Sequence, residues 1–441
     1  LRYLSLPLLL ALSSPAFAED GLTVTGSVRL RYESIDGQAR TGFNDSDDLL
    51  NLRSIVGAEY RRSGFRIGGE LYDSRVYGDD PGTPVTTGEV NTFELVQAYV
   101  GYDIPDAFGK ETRLGLQAGR FTLNLGSRRL IAADDYRNTT NGYTGLRADL
   151  GLGGATSATL IYTLPQIRLP DDRASIDASK VRFDRESFDL VLWGGLATKR
   201  FGDKRSAVEL SFYHLGERDA LRRPTRDRSL DTIGLRFYRE PAPGRWDYES
   251  ETIHQVGTIS SSPTPTAASL DVSAWFAHLE VGYGFRHRWS PRLALEFDYA
   301  SGDGRGSKFG RFDTLFGMRR GELAPAGLYN AVGRANLVSP VLRLEATPSK
   351  RLDGFVAYRP LWLASRFDSF STTGVRDASG NSGRFAGHQV EARLRYWLIP
   401  KRLRLEWNGL LLAKGRFLRE APNAPRGGDT IYNSFNATVS F

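Results

Sequence analysis

The stretch Gln389-Val390-Glu391-Ala392-Arg393-Leu394-Arg395-Tyr396-Trp397-Leu398 alternates strictly along its length. Val390, Ala392, Leu394, Tyr396 and Leu398 fall on one parity, and Gln389, Glu391, Arg393, Arg395 and Trp397 on the other. Successive side chains of a strand point to opposite faces, so this segment has an apolar face and a charged one. Ile399-Pro400-Lys401 follows as a short link, and a second extended segment starts at Arg402. A half-buried sheet of a soluble protein gives the same alternation, so one segment decides little and recurrence decides more.

The pattern does recur. Leu22, Val24, Val28, Leu30 and Tyr32 oppose Thr23, Thr25, Ser27, Arg29, Arg31 and Glu33. Leu50, Leu52, Val56, Ala58 and Tyr60 alternate with Asn51, Arg53, Glu59 and Arg61, and Val208, Leu210 and Phe212 with Glu209, Ser211 and Tyr213. Leu293, Leu295, Phe297 and Tyr299 oppose Arg292, Glu296 and Asp298. The charged parity is too dense for a dry core, where each unpaired charge costs several kcal/mol or more. It therefore faces water, and the apolar parity faces either a core or lipid.

Such segments number about 18, near residues 22–33, 48–62, 65–73, 91–103, 112–123, 143–150, 155–164, 187–198, 205–216, 229–239, 245–256, 269–286, 291–300, 335–346, 352–363, 387–398, 402–415 and 430–441. Segments 91–103 and 352–363 carry apolar residues on both parities, and 245–256 is polar throughout. The links alternate in length. Short ones occur at Arg62-Ser63-Gly64, Gly151 to Gly154, Lys199 to Lys204, Glu240 to Gly244, His287 to Ser290, Thr347 to Arg351 and Ile399 to Lys401. Between them lie long ones at 34–47, 74–90, 124–142, 165–186, 217–228, 257–268, 301–334, 364–386 and 416–429. Short periplasmic turns and long extracellular loops on an even number of strands characterise an all-β, transmembrane, antiparallel up-and-down β-barrel. Independent β-sandwiches do not obey such a rule over so many links.

The ends of the chain point the same way. Arg2, the apolar run Leu6 to Leu12 and Ala16-Phe17-Ala18 describe a signal peptide, residues 1–18, cut before Glu19 and followed by a single barrel domain over 19–441. No apolar stretch approaches the roughly 20 residues of a membrane-crossing helix. At the other end, Ile431, Asn433, Phe435, Ala437, Val439 and Phe441 alternate with Thr430, Tyr432, Ser434, Asn436, Thr438 and Ser440. A terminal Phe on an alternating strand resembles the β-signal read by the barrel-assembly machinery. Tyr60, Phe65, Tyr102, Phe201, Tyr238, Phe285, Trp289 and Tyr396 fall near the expected periplasmic ends, at the headgroup level favoured by aromatic girdles. The expected location is the bacterial outer membrane, with lipids and lipopolysaccharide around the wall.

Composition excludes other classes. The chain has no cysteine, so it is no disulfide scaffold, and its single methionine is Met318. Its formal charge of +7 raises nucleic acid as a partner. Export and the interleaving of Asp and Glu with Arg exclude it. The five histidines, His214, His254, His278, His287 and His388, show no ligand spacing, so neither metal nor cofactor is expected. Ser301-Gly302-Asp303-Gly304-Arg305-Gly306-Ser307 lacks the helix start or regular acidic ligands of a phosphate or calcium loop and reads as a flexible extracellular loop. An outer-membrane enzyme would need catalytic residues, for which His214 with Asp219 is the one imaginable pair; the chain is read as having no catalytic site.

The functional signal is the inward parity. It offers Arg29, Arg31, Arg53, Arg113, Arg147, Arg236, Arg343, Arg393, Arg395 and Arg404 beside Glu59, Glu209, Glu296, Glu345, Glu391 and Glu406. A barrel of this size encloses an aqueous channel, where an excess of guanidinium groups concentrates anions and offers forked hydrogen bonds to carboxylates. These same arginines can instead form ladders with Glu that hold the wall, as Arg343 with Glu345 or Arg404 with Glu406.

Phe312-Asp313-Thr314-Leu315-Phe316-Gly317, Leu328-Tyr329, Arg334-Ala335-Asn336-Leu337, Ser339-Pro340 and the run Arg351 to Lys414 resemble the alginate-export family of outer-membrane porins. The resemblance extends over roughly residues 95–441 and is clearest after 295. It implies a monomeric eighteen-stranded barrel with an arginine-rich constriction that passes polymannuronate and polyguluronate. The expected function is therefore passive translocation of acidic polysaccharide or oligosaccharide such as alginate. An uptake porin for small anions or other nutrients is the alternative, and a purely structural or adhesive barrel a more distant one.

Overall fold

The computed structural model describes residues 20–441 except 135, 221–222 and 319–321. The signal peptide read at residues 1–18 lies outside the described residues. Eighteen strands follow one another: β1 (Gly21–Asp36), β2 (Asp47–Arg62), β3 (Phe65–Tyr77), β4 (Asn91–Pro105), β5 (Thr112–Phe121) and β6 (Tyr143–Leu152). Then come β7 (Thr156–Pro165), β8 (Leu190–Arg200), β9 (Ser206–Glu217), β10 (Ser229–Arg239), β11 (Arg245–Ser260) and β12 (Ser269–Gly284). The last are β13 (Arg292–Ala300), β14 (Leu337–Ser349), β15 (Leu352–Trp362), β16 (Phe385–Ile399), β17 (Leu403–Lys414) and β18 (Thr430–Ser440). Two five-residue helices, α1 (Arg173–Asp177) and α2 (Arg416–Glu420), lie in the loops.

Each strand pairs antiparallel with its sequence neighbours, and β1 pairs with β18 from Ser27↔Ser440 to Asp36↔Ile431, which closes the sheet. The seam ends on reciprocal backbone bonds between Gly26 and Phe441, at 2.9 and 3.0 Å. The Phe441 ring lies across Gly26, where a Cβ would stand 2.3 Å from a ring carbon. Closure leaves no unpaired strand edge, as a lipid environment demands of any sheet that spans it.

The parity read from sequence sorts the side chains. Leu210, Leu235, Leu295, Leu342, Val356 and Phe435 face outward and are exposed, while Glu209, Arg236, Glu296, Arg343 and Phe355 face inward. No helix among the described residues is long and apolar enough to cross a membrane.

Strand ends shift from expectation, β3 running on to Tyr77 rather than 73 and β11 to Ser260 rather than 256, and three further differences have a local cause. β8 starts at Leu190 rather than 187, because Ser187 closes a turn that receives the Leu190 N–H and whose hydroxyl accepts from Asp189 N. β14 starts at Leu337 rather than 335, since Asn336 stands at φ +45° and breaks the extended run. Tyr238 is not part of the lipid-facing girdle: it is buried on the inward parity under the Arg236 guanidinium, 4.1 Å from its ring, and Phe237 takes the outward place. Tyr60, Phe65, Tyr102, Phe201, Phe285, Trp289 and Tyr396 are exposed.

The barrel is not an empty tube. Its inner wall is apolar toward the long-loop end, where Tyr143, Leu192, Leu215, Ile253, Phe276 and Leu361 are buried. Segments 122–142, 301–336 and 363–384 fold into this ring and bring Ile131, Phe312, Leu328, Tyr329, Val332 and Phe370 against it. Toward the short turns the inner wall is charged. The family-like residues Phe312 to Gly317, Leu328, Tyr329 and Arg334 to Leu337 are therefore among those that fill the mouth, with Phe312 tilted against Phe276 at 5.5 Å and Phe316 edge-on to Tyr143 at 5.7 Å.

Gly257 tests the wall. It lies within β11 at φ +136°, and a Cβ there would sit 1.9 Å from the Ser229 carbonyl oxygen of β10. Gly257→Val should cost more than the roughly 1–3 kcal/mol of an ordinary strained residue. The expected readout is loss of the fast-migrating folded band on an unheated gel; an unchanged folded fraction would contradict this packing.

Candidate permeation pathway

β1 runs from the short-turn end to the long-loop end, and the direction reverses at each strand. This sets the heights of the ten arginines read from sequence. All ten lie on the inward parity, but they occupy different surroundings.

Arg29, Arg31 and Arg53 grip the in-folded segment 122–142. Arg29 Nη2 donates to the Arg137 carbonyl at 2.8 Å and to Asn138 Oδ1 at 3.3 Å, and Arg53 Nη1 donates to the same carbonyl at 3.0 Å. Arg31 donates to the Tyr136 carbonyl at 2.6 Å, pairs with Glu33 at 3.4 Å and lies over the Tyr136 ring at 4.0 Å. Arg29 and Arg31 are 4 % and 2 % exposed, so they are covered by the loop rather than open to passing solute.

A second group holds the loops at mid-height. Arg236 bridges Glu209 and Glu249 at 2.9 Å each. Arg129, reaching in from segment 122–142, binds Glu249, Glu251 and Glu322, and Arg334 binds Glu322 at 2.7 Å. Arg359 meets Asp298 at 3.1 Å, and His278 Nδ1 lies 2.8 Å from the same carboxylate. Burial opposes the charge of Arg129, but Glu249, Glu322 and Glu251 outweigh it and hold the guanidinium above its ordinary range. Burial likewise pushes Glu322 up, and Arg129 and Arg334 overcome it to hold the carboxyl well below its usual range.

The ligand atoms of His278, Asp298 and Glu322 lie within 4.8 Å of one another, a grouping that would suit a cation in isolation. Arg129, Arg334 and Arg359 already donate into its carboxylates. With three guanidinium groups at its edge, the cluster is chemically an ion-pair knot between two loops and the wall.

The remaining arginines stand on the inward parity toward the short turns. Arg393 and Arg395 converge on Asp353 at 3.3 and 2.8 Å. Arg343 binds Glu345 at 2.6 Å and lies 3.9 Å over the inward ring of Phe355, which Arg393 flanks from 5.0 Å. Arg404 stands 3.8 Å from Glu406, and Arg147 2.7 Å from Asp149. Arg113, half-buried near the short-turn end, has no ion pair among the described residues. Both ladder pairs foreseen in the sequence, Arg343–Glu345 and Arg404–Glu406, are present alongside the channel.

Sequence parity does not single out Arg129, Arg292, Arg334 and Arg359 as a set. Arg129 and Arg334 sit in loops without periodicity. Arg292 stands on the charged parity of its strand, which is the only signal it gives; it binds Asp247 and Glu280. The imagined hydrolytic pair does not form: His214 points outward, 2.7 Å from Asp231, while the Asp219 carboxylate accepts the Thr225 backbone N–H and the Asp219 N–H donates to Asp227 Oδ1 at 2.7 Å.

A closed sheet of this strand number with a charged, loop-narrowed lumen defines a channel of the outer-membrane porin fold. Solved structures agree on the fold. OccK8 (OprE) of Pseudomonas aeruginosa superposes with a TM-score of 0.63 at 10% identity, covering 95% of this chain and 98% of that one. OccK2 (OpdF) of the same organism, in complex with glucuronate, gives 0.57 at 15% identity over 96% and 99%, and a BenF-like porin from Pseudomonas fluorescens Pf-5 gives 0.60 at 13% over 95% and 99%. No curated protein sequence matches the chain. The family model for alginate export matches residues 20–428, nearly the whole chain, and the protein belongs to that family of outer-membrane channels.

Two tests follow from the geometry. Glu322→Ala leaves Arg129 and Arg334 without a shared partner, a loss of about 3–5 kcal/mol for a broken buried pair. Single-channel recordings should then show larger or noisier conductance as segments 122–142 and 301–336 loosen, and an unchanged trace would remove the knot from any gating role. The loop 166–189 carries Asp184, which accepts from Leu169 N at 2.9 Å and Asn91 Nδ2 at 2.8 Å. Burial and the Glu94 carboxylate push Asp184 up to about 7. An acid raised in the folded state stabilises it most below its unfolded value and loses that contribution as pH rises through the folded one. Docking of this loop should weaken between about pH 4 and pH 7, seen as faster limited proteolysis at pH 8 than at pH 5, and Asp184→Asn should flatten the difference.

Proposed function

We propose that this protein is a passive outer-membrane channel for anionic saccharides of the alginate type, not an enzyme, with lumen arginines as its selectivity element. The observation that carries the reading is the convergence of Arg393 and Arg395 on the one carboxylate of Asp353. Planar forked donors match carboxylates in two-point geometry. Two guanidinium groups that already meet at the Oδ1 atom of a side-chain carboxylate have the donors to offer to a uronate. Arg113, Arg147, Arg236, Arg343 and Arg404 extend the positive lining, and Arg29, Arg31 and Arg53 contribute by positioning the loop above it. Family membership supports the substrate class.

A second reading, an uptake porin for small anions, is favoured by the three segments folded into the mouth, which leave less room for a polymer. The glucuronate complex of OccK2, a structure alike in fold, shows a monomeric acid with such a barrel. We further infer that the chain enters the membrane through the assembly machinery by its Phe441 strand and works as a monomer.

Planar-bilayer reversal potentials in a salt gradient test the reading. Anion selectivity, with current blocked by mannuronate oligomers, is the expected outcome, and Arg393→Gln with Arg395→Gln should reduce the selectivity and raise the blocking concentration several-fold. Block by glucuronate alone would favour the small-anion porin. Cation selectivity would overturn both.

A further inference from the structure

The mouth of the barrel contains a cavity of about 570 Å³ set against the inner wall of β10, β11 and β12. Leu230, Gln255 and Val272 form its wall side, and the loops carrying Arg226, Phe309 and Thr372 close the others. Its volume lies within the roughly 300–1,000 Å³ typical of small-molecule sites. Five arginines line it: Arg223, Arg226, Arg228, Arg311 and Arg334. The acids in the lining are Glu217 and Asp313.

Three of these arginines are already neutralised. Arg228 binds Glu217 and Asp313, both at 2.7 Å, Arg311 binds Asp368 at 2.7 Å, and Arg334 binds Glu322 at 2.7 Å. The other two differ. Arg226 donates from Nε to the Ser260 carbonyl at 2.7 Å and from Nη2 to the Ser261 carbonyl at 3.4 Å and lies over the Phe309 ring at 4.7 Å, with no carboxylate pair among the described residues. Its side chain is thus oriented by two carbonyls and a ring, none of which carries a countercharge. Arg223 also lacks an ion pair among the described residues, and its Nη2 is buried without a hydrogen-bond partner. A buried guanidinium nitrogen left without an acceptor is costly and calls for an anionic or strongly accepting guest.

We propose that this cavity is a docking site for the carboxylate of a uronate residue, in which Arg223 and Arg226 supply the charge that no ion pair takes up. The inference rests on the saccharide-channel reading and adds to it a second carboxylate position, at the long-loop face and on the wall of β10, β11 and β12 rather than beside Arg393 and Arg395 of β16. Gln255, whose side chain bonds the Asp313 backbone at 2.9 Å in both directions, fixes the floor against which the guest would lie. A neutral sugar offers hydroxyl acceptors but no countercharge to Arg223 and Arg226, so the site distinguishes uronates from hexoses by charge.

The experiment is calorimetric titration of trimannuronate into the full chain in detergent, beside bilayer block by the same oligomer added to one side at a time. Wild-type protein should bind the oligomer, and Arg223→Gln with Arg226→Gln should weaken binding about tenfold and slow block from the long-loop side, with heat-modifiable migration unchanged. Arg226→Lys, which keeps the charge, should recover part of the affinity; a purely structural role for Arg226 would show no such rescue. Binding and block unaltered by the double substitution, in a channel that remains anion-selective, would overturn the docking site and leave the channel reading standing. Wild-type protein that neither binds trimannuronate nor selects anions would overturn both.

Discussion

The pairing of β1 with β18 is the contact on which everything else depends. A sheet in hydrocarbon must satisfy each backbone N–H and C=O within itself, and only a closed sheet does so. Once Ser27 meets Ser440 and the seam ends on Gly26 and Phe441, inside and outside become distinct environments. The two parities of each strand are then committed, one to lipid and one to an interior that must accommodate numerous charges. A slip of one residue in any pair would reverse that commitment along the whole strand.

The interior meets the demand in two ways. Near the short turns, carboxylates stand beside guanidinium groups along the wall, as Asp353 does for Arg393 and Arg395. Near the long loops the wall turns apolar and takes in loops whose own hydrophobic residues complete a core, with Leu328, Tyr329 and Phe370 against Leu361 and Leu412. Between them runs the band of ion pairs about Glu322, Asp298 and Glu251. Charges buried this deeply are tolerable only when all are partnered, so the band ties the loops to the wall with specific geometry rather than with bulk adhesion.

The wall was readable in the amino-acid order because it rests on a local rule. Period-two alternation marks β13 and β16 without reference to any other part of the chain, and the alternation of link lengths supplies the topology. Even there, Asn336 and Ser187 moved strand starts by a backbone conformation that parity does not encode. The loops followed no such rule. Arg129 is an unremarkable member of an Arg-Arg pair until segment 122–142 turns inward and meets Glu249, Glu251 and Glu322 from distant strands. The inward direction of the ten arginines was legible for the same reason as the strands; which of them hold a loop and which face the water depended on long-range contacts. Phe312 to Gly317, Leu328, Tyr329 and Arg334 to Leu337 carried a family resemblance before their physical role was visible, and that role is to help fill the mouth.

The manner in which the loop 122–142 is held has a consequence for how such channels diversify. Arg29 and Arg53 both grip the carbonyl oxygen of Arg137, an atom that every amino acid possesses. The anchor is thus indifferent to the side chain at that position, which is left to its own contacts with Asp134 and Asn141. Substitution there can reshape the bore while the loop stays fastened to the barrel, so one scaffold can be retuned toward a new solute without first passing through an unfastened, leaky ancestor.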